Sequence, residues 1–291
     1  MQKRQDAPVV AVLNMKGGVG KTTISAHLFR VLFTVKASAT LLVDIDPQFN
    51  LTQALFTRKK YEELRDEGRT IISAMEPPPA SGLFEIKTSP EPPPDPTKLG
   101  ITLWYLTAAP AEKLIVVPGD FRLVKYSLMD DNRKLAAVRE RFLTFISMAR
   151  AKFRIVCIDC NPSSSFLTLC ALHACTHVLV PVRPDRYSIL GLEMLSDLID
   201  NIPTIHPKPK IIVVLNGMLR SAQTDPIEAE LRAHKVFGVS TLAARIYKSE
   251  LLVANPDYTG FATDKRVPYR NLLKAELAAV AKELASRLSL A

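Results

Sequence analysis

The sequence predicts an α/β fold, with a mostly parallel, twisted sheet flanked by helices on both faces. Three observations predict it. Short, almost wholly apolar runs alternate with stretches of helical periodicity. A glycine-rich turn joins the first apolar run to the first helix, and two later runs end in aspartate. The hydrophobic fraction of 47% in 291 residues is ample for one large core.

The expected strands cover 9–13, 40–44, 114–117, 154–159, 177–182 and 211–215. Apolar runs this continuous suit strands buried on both faces, which is how parallel sheets are built. Helices are expected over 22–36, 135–151, 190–201 and 268–288, the last from apolar residues at three- and four-residue spacing (Leu272, Leu273, Leu277, Val280, Leu284, Leu288). We expect one domain over 1–291, with a short tail at 1–8 that leaves no room for a helix-turn-helix. Residues 76–97, holding Pro77-Pro78-Pro79 and Pro92-Pro93-Pro94, read as an extended, polyproline-like surface insertion.

Asn14-Met15-Lys16-Gly17-Gly18-Val19-Gly20-Lys21-Thr22-Thr23 follows the first apolar run. A glycine-rich turn between strand and helix points successive backbone N–H groups at one spot, where the positive end of the helix dipole also lies. That spot suits phosphate. Lys21 can reach the outer phosphates of a nucleotide, and the Thr22 hydroxyl is placed to ligate Mg²⁺. The fold is therefore expected to be that of a P-loop NTPase. Lys16 adds a second lysine at the opening of the loop, and Met15 stands where the usual phosphate-loop pattern has glycine.

Two acidic segments should lie at the same sheet edge, where open parallel sheets bind ligands. In Asp44-Ile45-Asp46-Pro47-Gln48-Phe49-Asn50, strand alternation puts both acids on one face. Asp46 could then orient or deprotonate an attacking water and help hold the metal, with Asp44 supporting Mg²⁺ or the loop lysine. The run Ile155–Asp159 ends in a carboxylate suited to Mg²⁺. Cys157 and Cys160 form a C-x-x-C, but positions three apart on a strand face opposite sides, which argues against metal or redox work. Cys170, His173, Cys175 and His177 read as buried or isolated side chains. Asn216, at the end of a later strand, is placed to read an adenine edge through its amide.

The run Lys16–Thr23 resembles the deviant Walker A motif of the ParA/MinD group of ATPases. Asp44–Asn50 resembles that group's D-x-D-P-Q-G-N switch, with Phe49 in place of glycine. Asp159-Cys160-Asn161-Pro162-Ser163 is similar to its D-x-P-P-S segment, with Asn161 in place of the first proline. The resemblance covers roughly residues 8 to 288. It implies ATP and Mg²⁺ as cofactors, slow intrinsic hydrolysis, and a nucleotide-sandwich homodimer in which Lys16 contacts the partner's ATP. It also implies stimulation by a ParB-like partner and binding to double-stranded DNA without sequence preference. The positions that match DNA-binding sites of the group are Arg220, Arg245 and Lys248. Arg266 and Arg270, with Lys265 and Lys274, are further candidates from composition alone.

A net charge of +9 favours an anionic partner. No 18-residue apolar run exists, the opening residues are too polar for a signal peptide, and four cysteines show no disulfide framework. A cytoplasmic, nucleoid-associated protein is expected, with membrane binding disfavoured. The tail Leu284–Ala291 lacks the aromatics and lysine cluster of a MinD-like membrane helix. A membrane-positioning ATPase nevertheless remains the alternative, along with a weakly hydrolysing nucleotide-dependent scaffold. An electron donor of the nitrogenase-reductase kind would need cluster-ligating cysteines, for which these four are poorly placed.

Overall fold

The computed structural model describes residues 7–79, 81–163, 165–221, 225–253 and 259–290. Residues 1–6 of the expected tail lie outside that set. Eight strands form one sheet: β1 (Val9–Val12), β2 (Thr40–Asp44), β3 (Ile101–Leu106), β4 (Ala109–Val117), β5 (Ile155–Asp159), β6 (His177–Val182), β7 (Lys210–Met218) and β8 (Ile246–Tyr247). Their spatial order is β3-β4-β2-β5-β1-β6-β7-β8. All neighbours run parallel except β3 and β4, which form an antiparallel hairpin at one edge.

The helices that matter for the site are α1 (residues 21–36, with a π-helical turn at Ile24–Leu28), α2 (Asn50–Leu55) and α3 (Arg58–Asp66). The remaining large ones are α4 (Asn132–Lys152), α5 (Phe166–Ala174), α6 (Ser188–Asn201), α7 (Pro226–Ala233) and α8 (Arg270–Arg287). Local chemistry sets several of their starts. Asp131 accepts from Lys134 N to cap α4, and Asp225 accepts from Ile227 N and Glu228 N to cap α7, with Pro226 in the first turn.

Alternate strand residues feed two cores. Val9, Ala11, Leu41, Val43, Val156 and Ile158 face α4, α5 and α6, whose Phe142, Phe145, Leu172 and Leu195 cover them. Val10, Val12, Leu42, Ile155 and Cys157 face α1 and α8, with Phe29, Leu32, Phe33, Leu273 and Leu277. Cys157 and Cys160 thus fall in different cores, and all four cysteines are buried free thiols.

The proline-rich segment keeps most of its described residues at the surface and is pinned to the body at a few buried points. Its first residue, Glu76, is fully buried and ion-paired at 2.7 Å with the equally buried Lys125. Tyr126 Oη and Ser81 Oγ donate to the same carboxylate at 2.8 and 2.6 Å, and Lys125 Nζ donates to Ser81 Oγ at 2.7 Å. Ile86 packs into the core. A paired, fully hydrogen-bonded charge is what permits such burial.

Candidate functional site

The carboxyl ends of β1, β2 and β5 meet at one point, because β5 lies between the other two and its Asp159 is in register with both Val12 and Asp44. The loop after β1 closes over that point. Gly18 and Gly20 take positive φ (71° and 93°), a region open to glycine at little steric cost. Gly20 has a second constraint: a Cβ there would collide with the side-chain amide of Asn216. That amide donates to Val19 O at 2.8 Å, so Asn216 clamps the loop from β7. One of its two N–H groups is thereby engaged in the loop, a task beside the expected reading of an adenine edge. From β1 itself, Asn14 Nδ2 donates to Pro181 O at 2.8 Å, and Asn14 Oδ1 accepts from Lys16 N at 2.8 Å.

Lys21 opens α1 and folds back beneath the loop, donating to Asn14 O (3.2 Å) and Lys16 O (3.0 Å). Burial pushes its ammonium down from the usual lysine range, against the charges of Asp159 and Asp46, which hold it up. Lys16 points away from this centre. It is ion-paired with Asp185, in the turn between β6 and α6, and stays half-exposed.

Asp159 is fully buried. It accepts from Thr22 Oγ1 at 3.0 Å and from Ser25 Oγ at 2.6 Å. Burial raises its carboxyl to about 7, with Asp46 adding to the rise, while the two hydroxyls and Lys21 work against it. A carboxylate this poorly solvated gains from a nearby cation. Ser25 was not among the sequence candidates. The signal was present, since three residues after Thr22 on a helix is the same face.

Asp46 is buried and accepts from Gln48 N at 2.9 Å. Asp44 does not reach the loop lysine as expected. Its carboxylate accepts from Thr52 N (2.9 Å) and Thr52 Oγ1 (2.7 Å), and from Asp46 N (3.2 Å). Thr52 Oγ1 in turn accepts from Gly119 N at 2.7 Å. Asp44 is therefore a buried post that ties the start of α2 to the strand ends, and burial pushes its carboxyl well above the usual range. Just after these acids, Phe49 sits at φ 42°, in the left-handed region, with its ring stacked on Tyr61 of α3 at 4.9 Å. A residue at that φ explains why glycine suits the position and what steadies phenylalanine in its place.

No cluster of three or more His, Cys, Asp or Glu able to hold a metal occurs among the described residues. Thr22 and Asp159 supply one hydroxyl and one carboxylate. Such a donor set fits Mg²⁺ that arrives with nucleotide phosphates and takes its remaining ligands from them and from water. No helix among the described residues is long and apolar enough to cross a membrane.

The basic candidates divide. Arg220 is ion-paired with Glu276 at 2.6 Å and lies over the Tyr247 ring. Arg245 holds the buried Glu228 at 2.7 Å, together with Arg232. Lys248 and Arg266 are exposed and Arg270 partly so.

A glycine loop between strand and helix, a lysine beneath it and a buried aspartate bonded to the helix's first hydroxyls define a P-loop nucleotide-binding protein. The AAA_31 family model, an AAA domain, matches residues 7–212. The chain belongs to that family, and it is a ParA/MinD-type P-loop ATPase. It is 31% identical over 220 residues to the chromosome partitioning protein ParA of Myxococcus xanthus, covering 73% of this chain and 65% of that one. It is 27% identical over 252 residues to the chromosome-partitioning ATPase Soj of Thermus thermophilus, covering 86% and 84%. The solved structure of pNOB8 ParA bound to nonspecific DNA superposes with a TM-score of 0.64 at 18% identity, covering 97% of this chain and 99% of that one.

Proposed function

We propose that the chain is an ATP-dependent partition or positioning ATPase. ATP with Mg²⁺ closes a homodimer, the dimer binds double-stranded DNA without sequence preference, and hydrolysis stimulated by a ParB-like partner releases it. The observation that carries this reading is the buried Thr22–Asp159–Ser25 triangle beside Lys21. Mg²⁺, held by Thr22 and Asp159, would supply charge neutralisation at the outer phosphates. Lys21 exchanges its loop carbonyls for phosphate oxygens. Asp46, whose backbone turn leads into Phe49, orients the water, and the loop N–H groups of 17–22 hold the phosphates. Lys16 leaves Asp185 to contact the partner's nucleotide.

Intrinsic turnover is slow in this scheme, because the water is poorly held until the partner acts, and the protein resides on the nucleoid. The relatives' names and the DNA-bound neighbour support the partition role. The test is binding to a random-sequence duplex with ADP and with a slowly hydrolysed ATP analogue, at two salt concentrations. Binding with the analogue alone, weakening steeply with salt, is the expected result. Absence of binding in both states would refute the DNA role and turn attention to the membrane-positioning alternative.

A further inference from the structure

We infer that Tyr61 is a positioning residue for hydrolysis: its ring, stacked on Phe49, holds the Asp46–Phe49 turn in the form that presents Asp46 to the attacking water. The inference rests on the water-orienting role proposed above for Asp46 and says what keeps that residue in place.

The turn is short and closes on itself. Asp46 Oδ1 accepts from Gln48 N at 2.9 Å, and Asp46 O accepts from Phe49 N at 2.8 Å. Phe49 O then accepts from Gln53 N at 3.0 Å, so α2 starts on the residue that ends the turn. That residue has φ 42° and ψ 41°, a left-handed state that a Cβ makes costly and that glycine accepts freely. No side chain caps the start of α2 to help hold it. A phenylalanine without other support would relax out of this state, breaking its bond to Asp46 O and shifting the acid.

Two contacts oppose that relaxation. At the base of the side chain, Gly119 in the loop after β4 lies so close that a Cβ added there would come within 2.8 Å of the Phe49 Cβ. At its tip, the Tyr61 ring lies nearly parallel to the Phe49 ring, with 14° between planes and 4.9 Å between centroids. Tyr61 is fixed in turn. It belongs to the first turn of α3, where its N–H donates to Thr57 O at 3.0 Å and Thr57 Oγ1 caps the helix by accepting from Lys60 N. Its hydroxyl end lies by Phe121 and Asp120, in the same loop as Gly119; burial, with the Asp120 charge, pushes the phenol up to about 12, so the ring stays neutral. The loop after β4 therefore backs both contacts. A groove of about 580 Å³ opens beside the two rings, lined by Thr52, Gln53, Phe56 and Arg65 among others. It gives the Phe49 ring room to swing away once Tyr61 is removed.

The experiment is steady-state ATP hydrolysis with Mg²⁺ by Tyr61 variants in two backgrounds, each variant checked for binding of a slowly hydrolysed ATP analogue. Tyr61→Ala should lower kcat about three- to tenfold, the span of a lost aromatic pair, with KM and analogue affinity within about twofold of wild type. Tyr61→Phe keeps the ring and should keep at least about half of the wild-type kcat. In a Phe49→Gly background the turn needs no support, so Tyr61→Ala should change kcat by less than about twofold. A loss of equal size in both backgrounds would overturn the assignment, because it marks damage to α3 and not release of the turn. An unchanged kcat in Tyr61→Ala, or a Phe49→Gly variant that is itself inactive, would overturn it as well. Asp46→Ala, assayed alongside, separates the two readings. If that variant turns over at the wild-type rate, the water-orienting role fails and this assignment with it; if it is inactive while Tyr61→Ala is normal, this assignment alone fails.

Discussion

Replacing Gly20 by alanine tests the architecture of the nucleotide loop through a single methyl group. The residue's φ of 93° is one that L side chains rarely adopt, and leaving it for alanine costs about 1–2 kcal/mol. The new Cβ would also strike Asn216 Nδ2, which now donates to Val19 O at 2.8 Å. Displacing that amide forfeits a buried hydrogen bond and leaves its donor unmatched, for about 1–2 kcal/mol more. The variant should therefore lose about 2–4 kcal/mol in urea unfolding followed by circular dichroism, and bind an ATP analogue more weakly. The decisive comparison is made in an Asn216→Ala background. There the collision is gone, only the backbone term survives, and the two substitutions should show a coupling of about 1–2 kcal/mol. Equal cost of Gly20→Ala in both backgrounds would refute the clamp.

Lys16→Ala should keep ATP binding but lose concentration-dependent hydrolysis; turnover that is unchanged would remove the in-trans role of this lysine. Asp46→Ala should accumulate as an ATP-bound dimer, seen by light scattering, and a variant cycling at the normal rate would place the water-orienting group elsewhere. His27, which burial holds down to about 4, gives a pH signature. Above pH 6.5 it is neutral folded or unfolded, whereas between 6.5 and 4 the unfolded chain takes up a proton that the fold refuses. Stability should fall by up to about 3 kcal/mol as pH drops through that window, and His27→Gln should flatten the slope. Lys125→Met removes the partner of a fully buried Glu76 and should cost about 3–5 kcal/mol, with protease cutting appearing within 77–95.

Much of this architecture was legible because it rests on short-range chemistry. The bounds expected for β2 and β6 match, since each is an unbroken apolar run ended by a polar residue or a turn. The phosphate loop and Asp159 were equally plain. The β3–β4 hairpin was seen only in part: the buried end of β4 was expected at 114–117, whereas its exposed first half and the half-exposed edge strand Ile101–Leu106 were not. Nor could the ion pairs of Arg220 and Arg245 be foreseen, as Glu276 and Glu228 are brought to them only by tertiary packing. At Phe49 the hint was the glycine that the resembling motif carries there; what the sequence did not show is the Tyr61 ring that braces a phenylalanine at positive φ.

By its prolines, the segment 76–97 reads as ornament that could be trimmed. Lys125, Tyr126 and Arg141 make that unwise, since each donates into this segment: to Glu76, to the Glu85 carbonyl, or to the Glu91 carbonyl. For those three side chains the segment stands in for solvent. A shortened chain joining Met75 to Pro96 would uncover the core that Ile86 covers and would leave a lysine and an arginine without the partners that satisfy them. Transplanting the segment into another chain should therefore succeed only when the side chains at 125, 126 and 141 travel with it.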